Sequence, residues 1–423
     1  MRAKLITLGC QMNVYDSHIL ATELARIGYR ETDQYDDADL VVVNTCAVRE
    51  KPAEKLRSLL GLLNQQRKKR PMKIALAGCL MQLQGSEFQE KFHIDYVTGP
   101  GSITELPKLI QAGQGTSLEF IDSLADYVAP PQMSLAAHLT IIRGCDHACT
   151  YCIVPRTRGP QVSRPPEKIL EEAYALRKAG VLEVTLLGQN VNAYGKDVPG
   201  YPSFAQVLRQ IGKIFPRVRF LTNHPKDFTA EVIQAIAETP TVCRHLHLPV
   251  QSGSDQVLKD MNREYTAQQF IHAAQLARKA LPGCSVTTDL IAGFPTETEE
   301  DFQATLALVD QVGFDASFTF IYSPRPGTPA GALPDLPQEV KTERLMRLID
   351  QCKAWSLKRN QARVGQVLEV LVTDERKGDG TSQGYCRENI PVVVGEDLDP
   401  GIYQVQIGRA APQLLFGAVL HDL

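Results

Sequence analysis

The chain has 423 residues, 43% hydrophobic and 22% charged, with a formal net charge of −3. That length exceeds one ordinary core and calls for two or three domains, and the faintly acidic balance excludes a globally basic nucleic-acid binder, leaving room only for a local basic patch. Runs of about 18 apolar residues, the length that spans a bilayer, are absent, and Met1–Ser17 lacks the apolar stretch and cleavage site of a secretory leader, so a cytoplasmic protein with no membrane contact is expected.

In chain order, Ala3–Leu8, Leu40–Val43 and Lys73–Ala77 read as strands, with helical spacing over Asp16–Ile27 and Pro52–Gln66 between them. This alternation predicts the α/β class, with a doubly wound parallel sheet over residues 1–115. Gly, Ser, Asp and Pro from Ala112 to Leu135 indicate a linker with some irregular strand. A second alternation follows, with strands at His138–Ile142, Val184–Leu187, Arg217–Leu221, His245–Val250, Ser285–Ile291 and Ser317–Tyr322 and helices such as Pro166–Ala179 and Ala267–Ala280. It predicts a partial (β/α)6 barrel over 133–364, open on one side. After a long helix at Gln338–Arg363, the short strands Val367–Thr373, Pro391–Val394 and Tyr403–Ile407 predict a small, separable all-β barrel over 365–423.

Ten cysteines in a long chain without a leader read as metal-binding or catalytic thiols, not as a disulfide framework. The sharpest signal is Cys145-Asp-His-Ala-Cys149-Thr-Tyr-Cys152. Three thiols at this spacing fit one loop wrapped around a metal cluster, and three ligands on a four-iron cluster leave one iron open to substrate. The motif also falls just past the first barrel strand, where barrel chemistry belongs. A structural zinc knuckle is the other reading; it needs a fourth ligand, and His147 lies inside the loop.

Cys10, Cys46 and Cys79 are far apart in sequence, yet each follows one of the first three strands, in LITLGC, VVVNTC and IALAGC. Strands of one polarity bring their ends to one sheet edge, so the three thiols would meet there. The alternative is three buried apolar thiols; Cys243, Cys284, Cys352 and Cys386 show no such pattern and read as structural.

The CxxxCxxC spacing, with Tyr151 before the last cysteine, resembles the radical S-adenosylmethionine (SAM) superfamily. Over nearly its whole length the chain resembles the radical SAM methylthiotransferases. The strings GCQMNVYDS at Gly9–Ser17, NTCAVREKPAEK at Asn44–Lys55 and CTYCIVPRTRGPQVSRP at Cys149–Pro165 point to the subgroup acting on N6-dimethylallyladenosine in tRNA. LLGQNVNAYG at Leu186–Gly195, HLHLPVQSGSD at His245–Asp255 and IYSPRPGTPA at Ile321–Ala330 point the same way. Gln11-Met12-Asn13 stands where the sister group that modifies a ribosomal protein has Pro-Lys-Asn. Phe220–His224 and Arg387–Asn389 depart slightly from the family pattern.

The resemblance implies an N-terminal methylthiotransferase domain, a radical SAM barrel and a C-terminal TRAM domain that binds RNA. It implies two [4Fe-4S] clusters: a SAM-binding one on Cys145, Cys149 and Cys152, and an auxiliary one on Cys10, Cys46 and Cys79 that holds the sulfur. It implies two SAM molecules per turnover, one methylating sulfur and one yielding the 5′-deoxyadenosyl radical, with methylthio transfer to C2 of adenosine 37. SAM contacts are expected from Tyr151 and from the strand-end residues Gly188, Gln189, Gln251, Ser252 and Gly293, although such glycines equally serve plain βα turns. His245 and His247 are read as either packing or SAM-contacting. RNA phosphate contacts are expected from Arg156, Arg158 and Arg164; Arg67–Arg70 reads either as a further patch or as a solvated helix end. Asn190, Tyr194 and Tyr322–Thr328 are expected, with Gln189, to wall the prenyl pocket. The expected partners are the tRNA anticodon loop and a cellular electron donor, with the protein a monomer. Two other readings stay open here: radical chemistry on a ribosomal protein, and a zinc-stabilised RNA-binding adaptor without catalysis.

Overall fold

The run Leu40–Thr45, LVVVNT, is buried along its whole length, as a strand covered on both faces of a parallel sheet must be. It is β3 in a computed structural model that describes residues 1–47, 50–121, 127–128, 134–373, 378 and 380–421. The elements before and around it are β1 (Arg2–Leu8), α1 (Gln11–Arg26), β2 (Arg30–Glu31), α2 (Glu50–Lys69), β4 (Lys73–Gly78), α3 (Cys79–Phe92), β5 (Tyr96–Thr98), α4 (Leu106–Ala112) and β6 (Gly115–Ser117). They form a six-stranded sheet in the order β2-β1-β3-β4-β5-β6. Leu56, Leu60 and Leu63 of α2 and Met81 and Phe88 of α3 cover one face, and Ile19, Leu20 and Leu24 of α1 cover the other. The doubly wound reading therefore holds, with three short strands beyond the three expected. β6 carries the sheet just past the expected boundary at 115 and supplies the irregular strand expected in the linker; the Pro-rich end of that linker, Ala129–Pro131, lies outside the described residues.

The second unit contains β7 (Ala136–Thr140), β8 (Ile142–Arg143), α5 (Val154–Arg158), β9 (Val162–Ser163), α6 (Pro166–Lys178), β10 (Glu183–Leu187), α7 (Phe204–Gly212), β11 (Arg217–Phe220), α8 (Ala230–Glu238), β12 (His245–His247), α9 (Asp255–Asp260), α10 (Ala267–Ala280), β13 (Ser285–Ala292), α11 (Glu299–Val312), β14 (Ala316–Ile321) and α12 (Gln338–Gln361). Six parallel strands form two three-stranded sheets, β7-β10-β11 and β12-β13-β14. A parallel bridge from Val218 to Val242 joins them. The result is the partial barrel the alternation predicts. All six barrel strands run the same way, with β8 and β9 forming a separate antiparallel pair, so the βα loops gather at one end.

The third unit, β15 (Val367–Val372), β16 (Ser382–Cys386), β17 (Pro391–Val394), β18 (Gly401–Ala410) and β19 (Leu415–Val419), closes into a barrel in the order β15-β16-β17-β19-β18. It is not a free appendage. Arg217, at the N-terminal end of β11, is fully buried; its Nε donates to Glu183 at 2.8 Å, its Nη1 to Glu369 at 2.7 Å and its Nη2 to the Tyr385 carbonyl at 3.0 Å. Arg219 donates to the carbonyls of Cys386 and Arg387 at 2.6 and 2.9 Å, and Ser285 to that of Glu388 at 2.6 Å. The turn after β16 thus seals the floor of the barrel. The unit is a closed barrel of its own, and its backbone carbonyls satisfy guanidinium groups that would otherwise be buried without partners, at a cost of several kcal/mol, on the order of 3–5.

Candidate functional site

The first cysteine trio is assembled by register. Leu8 pairs with Thr45 and Thr45 with Gly78, so Cys46 and Cys79, one residue on, and Cys10, two residues on, leave the same sheet edge. Cys10 caps α1, and Cys79 opens α3. Close approach here needs glycine: Gly78 has φ 94°, and a Cβ on it would stand 2.3 Å from Asn44 Oδ1 and 2.4 Å from the Thr45 carbonyl. Buried amides lace the edge together. Asn13 Nδ2 donates to Asn44 Oδ1 and to the Thr45 carbonyl, both at 3.1 Å, and Asn44 Nδ2 donates to the Asn13 carbonyl at 2.9 Å.

Cys46 and Cys79 are buried and Cys10 is exposed. The Cys46 thiol hydrogen-bonds Cys10 and, with help from the Arg158 charge, holds the Cys10 thiol down at about 6. Burial instead raises Cys79, against the opposing charge of Arg158.

The second trio lies on one loop at the C-terminal end of the barrel strands. The loop leaves β8 through Gly144, at φ 68°, where a Cβ would fall 1.8 Å from the Pro160 carbonyl. Gln189 Oε1 accepts from the Gly144 amide at 2.6 Å. Thr150 N donates to the Met261 carbonyl at 3.0 Å, and Asn262 Nδ2 to the Ala148 carbonyl at 2.9 Å, so the turn after α9 clamps the loop. Arg263 in that turn donates from Nη1 to Cys149 Sγ at 3.3 Å and from Nη2 to the Pro249 carbonyl at 2.9 Å, and its Nε bonds Tyr265 at 2.9 Å. Burial pushes Cys145 up to about 11 and Cys152 to about 12, so these thiols ionise only with a cation or metal to receive them.

His147 does not complete a zinc knuckle. Its Nε2 bonds Asp227 at 2.8 Å, and its ring stacks on His224 with centroids 3.9 Å apart. These three side chains form the one compact His/Cys/Asp/Glu group of metal-ligand spacing among the described residues. Asp227 also receives Asn190 at 2.6 Å and Lys196 at 2.5 Å. With an ammonium already on the carboxylate, the arrangement is a hydrogen-bond hub that ties the cysteine loop to the loops after β10 and β11. Burial, reinforced by Arg263 and His147, pushes His224 down to about 2, keeping it neutral.

Several expected contacts lie elsewhere than the sequence suggested. Ser252 is fully buried, and its hydroxyl faces Thr305 at 3.3 Å, so it braces a turn and is not open to SAM. Gln251 is buried at φ 73° and continues the β13 ladder through its backbone. The Gly188 Cα lies against Ile142, and Gly293 against Lys341. Tyr151 stands with its hydroxyl 3.5 Å from Arg263. Asn190 and Tyr194 are buried, Tyr194 donating to the Arg164 carbonyl at 2.8 Å, so neither walls an open pocket; from Tyr322 to Thr328 the two ends are buried and the residues between them are at least partly exposed. His245 is buried on Thr287 at 3.0 Å and is a packing residue.

The three arginines divide. Arg156 is exposed and donates to the Pro326 carbonyl at 3.2 Å. Arg158 pairs with Asp16 at 2.6 Å, and Arg164 with Glu172 at 2.8 Å, both inside the protein. A buried, paired guanidinium cannot meet a phosphate, so Arg158 and Arg164 are removed from the RNA-contacting set. Arg67 is held by Asp95 and Arg70 by Asp39 at 2.5 Å, which favours the structural reading of that basic run. Arg263 and Asp227 carried no signal in the sequence: single charged residues in turns look like surface.

The chain matches the family models for the radical SAM superfamily over residues 139–309, the uncharacterized protein family UPF0004 over 2–99 and the TRAM domain over 361–420. A tRNA-2-methylthio-N(6)-dimethylallyladenosine synthase of Thermus thermophilus is 55% identical over 427 residues, covering 99% of this chain and 92% of the relative. The enzyme of the same name from Deinococcus radiodurans is 50% identical, covering 99% and 86%. Among solved structures, a radical S-adenosylmethionine methyltransferase from Kitasatospora setae, with tryptophan and a SAM analog bound, superposes with a TM-score of 0.59 at 16% identity over 78% of this chain and 75% of that one; this likeness concerns the fold.

Proposed function

The chain belongs to the tRNA-2-methylthio-N(6)-dimethylallyladenosine synthases, a family of radical SAM enzymes, and we propose that it places a methylthio group on C2 of N6-isopentenyladenosine 37 in tRNA using two [4Fe-4S] clusters. The observation that carries this reading is the pair of thiol trios, one after the strand ends of the first unit and one on the loop after β8, with α5 leading from the second toward the first. Cys145, Cys149 and Cys152 would hold the SAM-binding cluster and Cys10, Cys46 and Cys79 the auxiliary one. The donor sets fit: each offers three thiols, with a guanidinium beside it to offset thiolate charge. When bound, the first cluster supplies the electron that cleaves SAM to the 5′-deoxyadenosyl radical.

The chain's own residues do the rest. The Asp227 hub holds the cysteine loop against the loops after β10 and β11. Arg263 braces Cys149 from the α9 turn. Ile153 inserts among the buried side chains of the first unit, fixing one trio relative to the other, as a transfer sensitive to small misplacements requires. Exposed Arg156 is the remaining candidate for phosphate contact beside the TRAM unit. The units are proposed as 1–115, 133–364 and 365–423, in a cytoplasmic monomer served by a cellular electron donor; no described helix is long and apolar enough to cross a membrane.

Mass spectrometry of tRNA nucleosides from a deletion strain tests the activity directly: the methylthio nucleoside disappears and its unthiolated precursor accumulates. Prenylated and unprenylated transcripts assayed side by side test the substrate. The isopentenyl group offers apolar surface worth roughly 25 cal/mol per Å2 buried, so the prenylated transcript is modified well and the other poorly. Equal rates remove the prenyl group from recognition, and a modified ribosomal protein with no tRNA product moves the chain to the sister group.

A further inference from the structure

Arg158 lies six residues beyond Cys152, at the end of α5, yet its side chain leaves the barrel and enters the first unit. There its Nη2 donates to Asp16 Oδ2 at 2.6 Å. Both side chains are almost wholly buried, 4% and 1% exposed. Arg143 also reaches Asp16, at 3.6 Å, and is held by the Pro100 carbonyl at 2.5 Å. Two guanidinium groups therefore share one carboxylate in a dry pocket. One positive charge is left over, and an uncompensated buried charge is costly.

The leftover charge has a direction. Arg158 Nη1 is buried and makes no hydrogen bond. The anionic groups that act on Arg158, after Asp16, are Cys79 and Cys10. The unused donor thus lies on the side of the first thiol trio, where no acceptor meets it. A group held by thiolates in that trio would be anionic and would satisfy both deficits at once.

We propose that Arg158 is a built-in part of the auxiliary-cluster site: it donates from Nη1 to a cluster or ligand sulfur, and its charge, oriented by Asp16, raises that cluster's reduction potential. This rests on the two-cluster reading above. Hydrogen bonds to sulfur and net local charge are among the factors that set iron–sulfur potentials. Helix α5 begins two residues after the barrel ligand Cys152 and ends at the auxiliary-cluster donor Arg158, so it links the two sites.

The experiment uses the full chain carrying Cys145→Ala, Cys149→Ala and Cys152→Ala as parent, reconstituted anaerobically so that only the auxiliary cluster contributes. Iron and sulfide are counted, and the midpoint potential is read by electron paramagnetic resonance during redox titration. Arg158→Gln shifts the midpoint to more negative values and alters the reduced-cluster spectrum, whereas Arg158→Lys, which keeps the charge, restores most of the potential but not the spectrum. Arg158→Gln leaves Asp16 with only the longer Arg143 contact and so destabilises the protein. The same comparison is therefore made in an Asp16→Asn background, where Arg158→Gln again lowers the midpoint relative to Asp16→Asn alone. An unchanged midpoint and spectrum with full iron content overturns the role of Arg158 and leaves the cluster reading standing. A parent that binds no iron or sulfide overturns the cluster reading and this inference with it.

Discussion

The two ends of the barrel are built from the same strands and treated in opposite ways. At the floor, the first residues of β10, β11 and β13 are Glu183, Arg217 and Ser285, and each is engaged in the seam with the third unit, Glu183 through Arg217. At the mouth, a loop held by single hydrogen bonds presents three thiols, and beside it the buried Nε2 of His224 has no partner. The arginines of the floor are held by carboxylates and carbonyls, with His245 Nδ1 the atom left over there, whereas of the three thiols at the mouth Cys149 has Arg263 beside it. Unsatisfied groups cost stability and are kept where a ligand completes them, so the difference separates the end that holds the fold together from the end that does chemistry.

The sharpest way to break this comparison is to empty the mouth. Cys149→Ala abolishes 5′-deoxyadenosine formation, while the loss of one buried thiol and of its bond from Arg263 costs about 1–2 kcal/mol of folding stability. Cys46→Ala, in the first unit, keeps SAM cleavage while losing methylthio transfer. Both are read by chromatography of 5′-deoxyadenosine and of tRNA nucleosides; full methylthio transfer by Cys46→Ala would falsify the auxiliary-cluster assignment.

Attacking the floor has the reverse effect. Arg217→Met removes the buried guanidinium that joins Glu183 to Glu369, leaving Glu183 on Arg219 and Glu369 on Arg387, and lowers unfolding stability by about 3–5 kcal/mol, seen as an earlier urea midpoint. Truncation from Gly365 does the same and also weakens tRNA binding in a salt-dependent way. A truncated protein with unchanged stability would mean that the seam is ornamental.

A subtler test uses pH. Burial holds the floor residue His245 well below its ordinary value, followed in effect by the charge of Arg219. It stays neutral in the folded state and protonates only on unfolding, so stability falls as pH drops below the unfolded value of about 6.5, by up to about 1.4 kcal/mol per pH unit. His245→Gln removes that part of the slope, measured as the urea midpoint between pH 6.5 and 5.5; identical slopes would contradict the buried neutral ring. The smallest effect is expected at the rim of the mouth, where Arg156→Ala weakens tRNA affinity modestly and reduces its salt slope by about one. No change in slope places the phosphate contacts elsewhere.

What the sequence determined by itself was everything written in local periodicity. The alternation of strands and helices yields the doubly wound sheet and the partial barrel, and the eight-residue span from Cys145 to Cys152 can only be one loop. Cys10, Cys46 and Cys79 were legible as a set for a related reason: a parallel sheet aligns successive strand ends, so a residue placed just after each strand carries its three-dimensional address in one dimension. Burial and pairing across long separations had no such code. Arg156, Arg158 and Arg164 look alike in the string, yet one reaches the surface and two meet Asp16 and Glu172. Arg217 reads as an ordinary strand residue until Glu369 and the Tyr385 carbonyl, over 150 positions away, arrive beside it. A guanidinium is chemically the same in either place; only the packing of three units against one another decides whether it faces water, a carboxylate or sulfur.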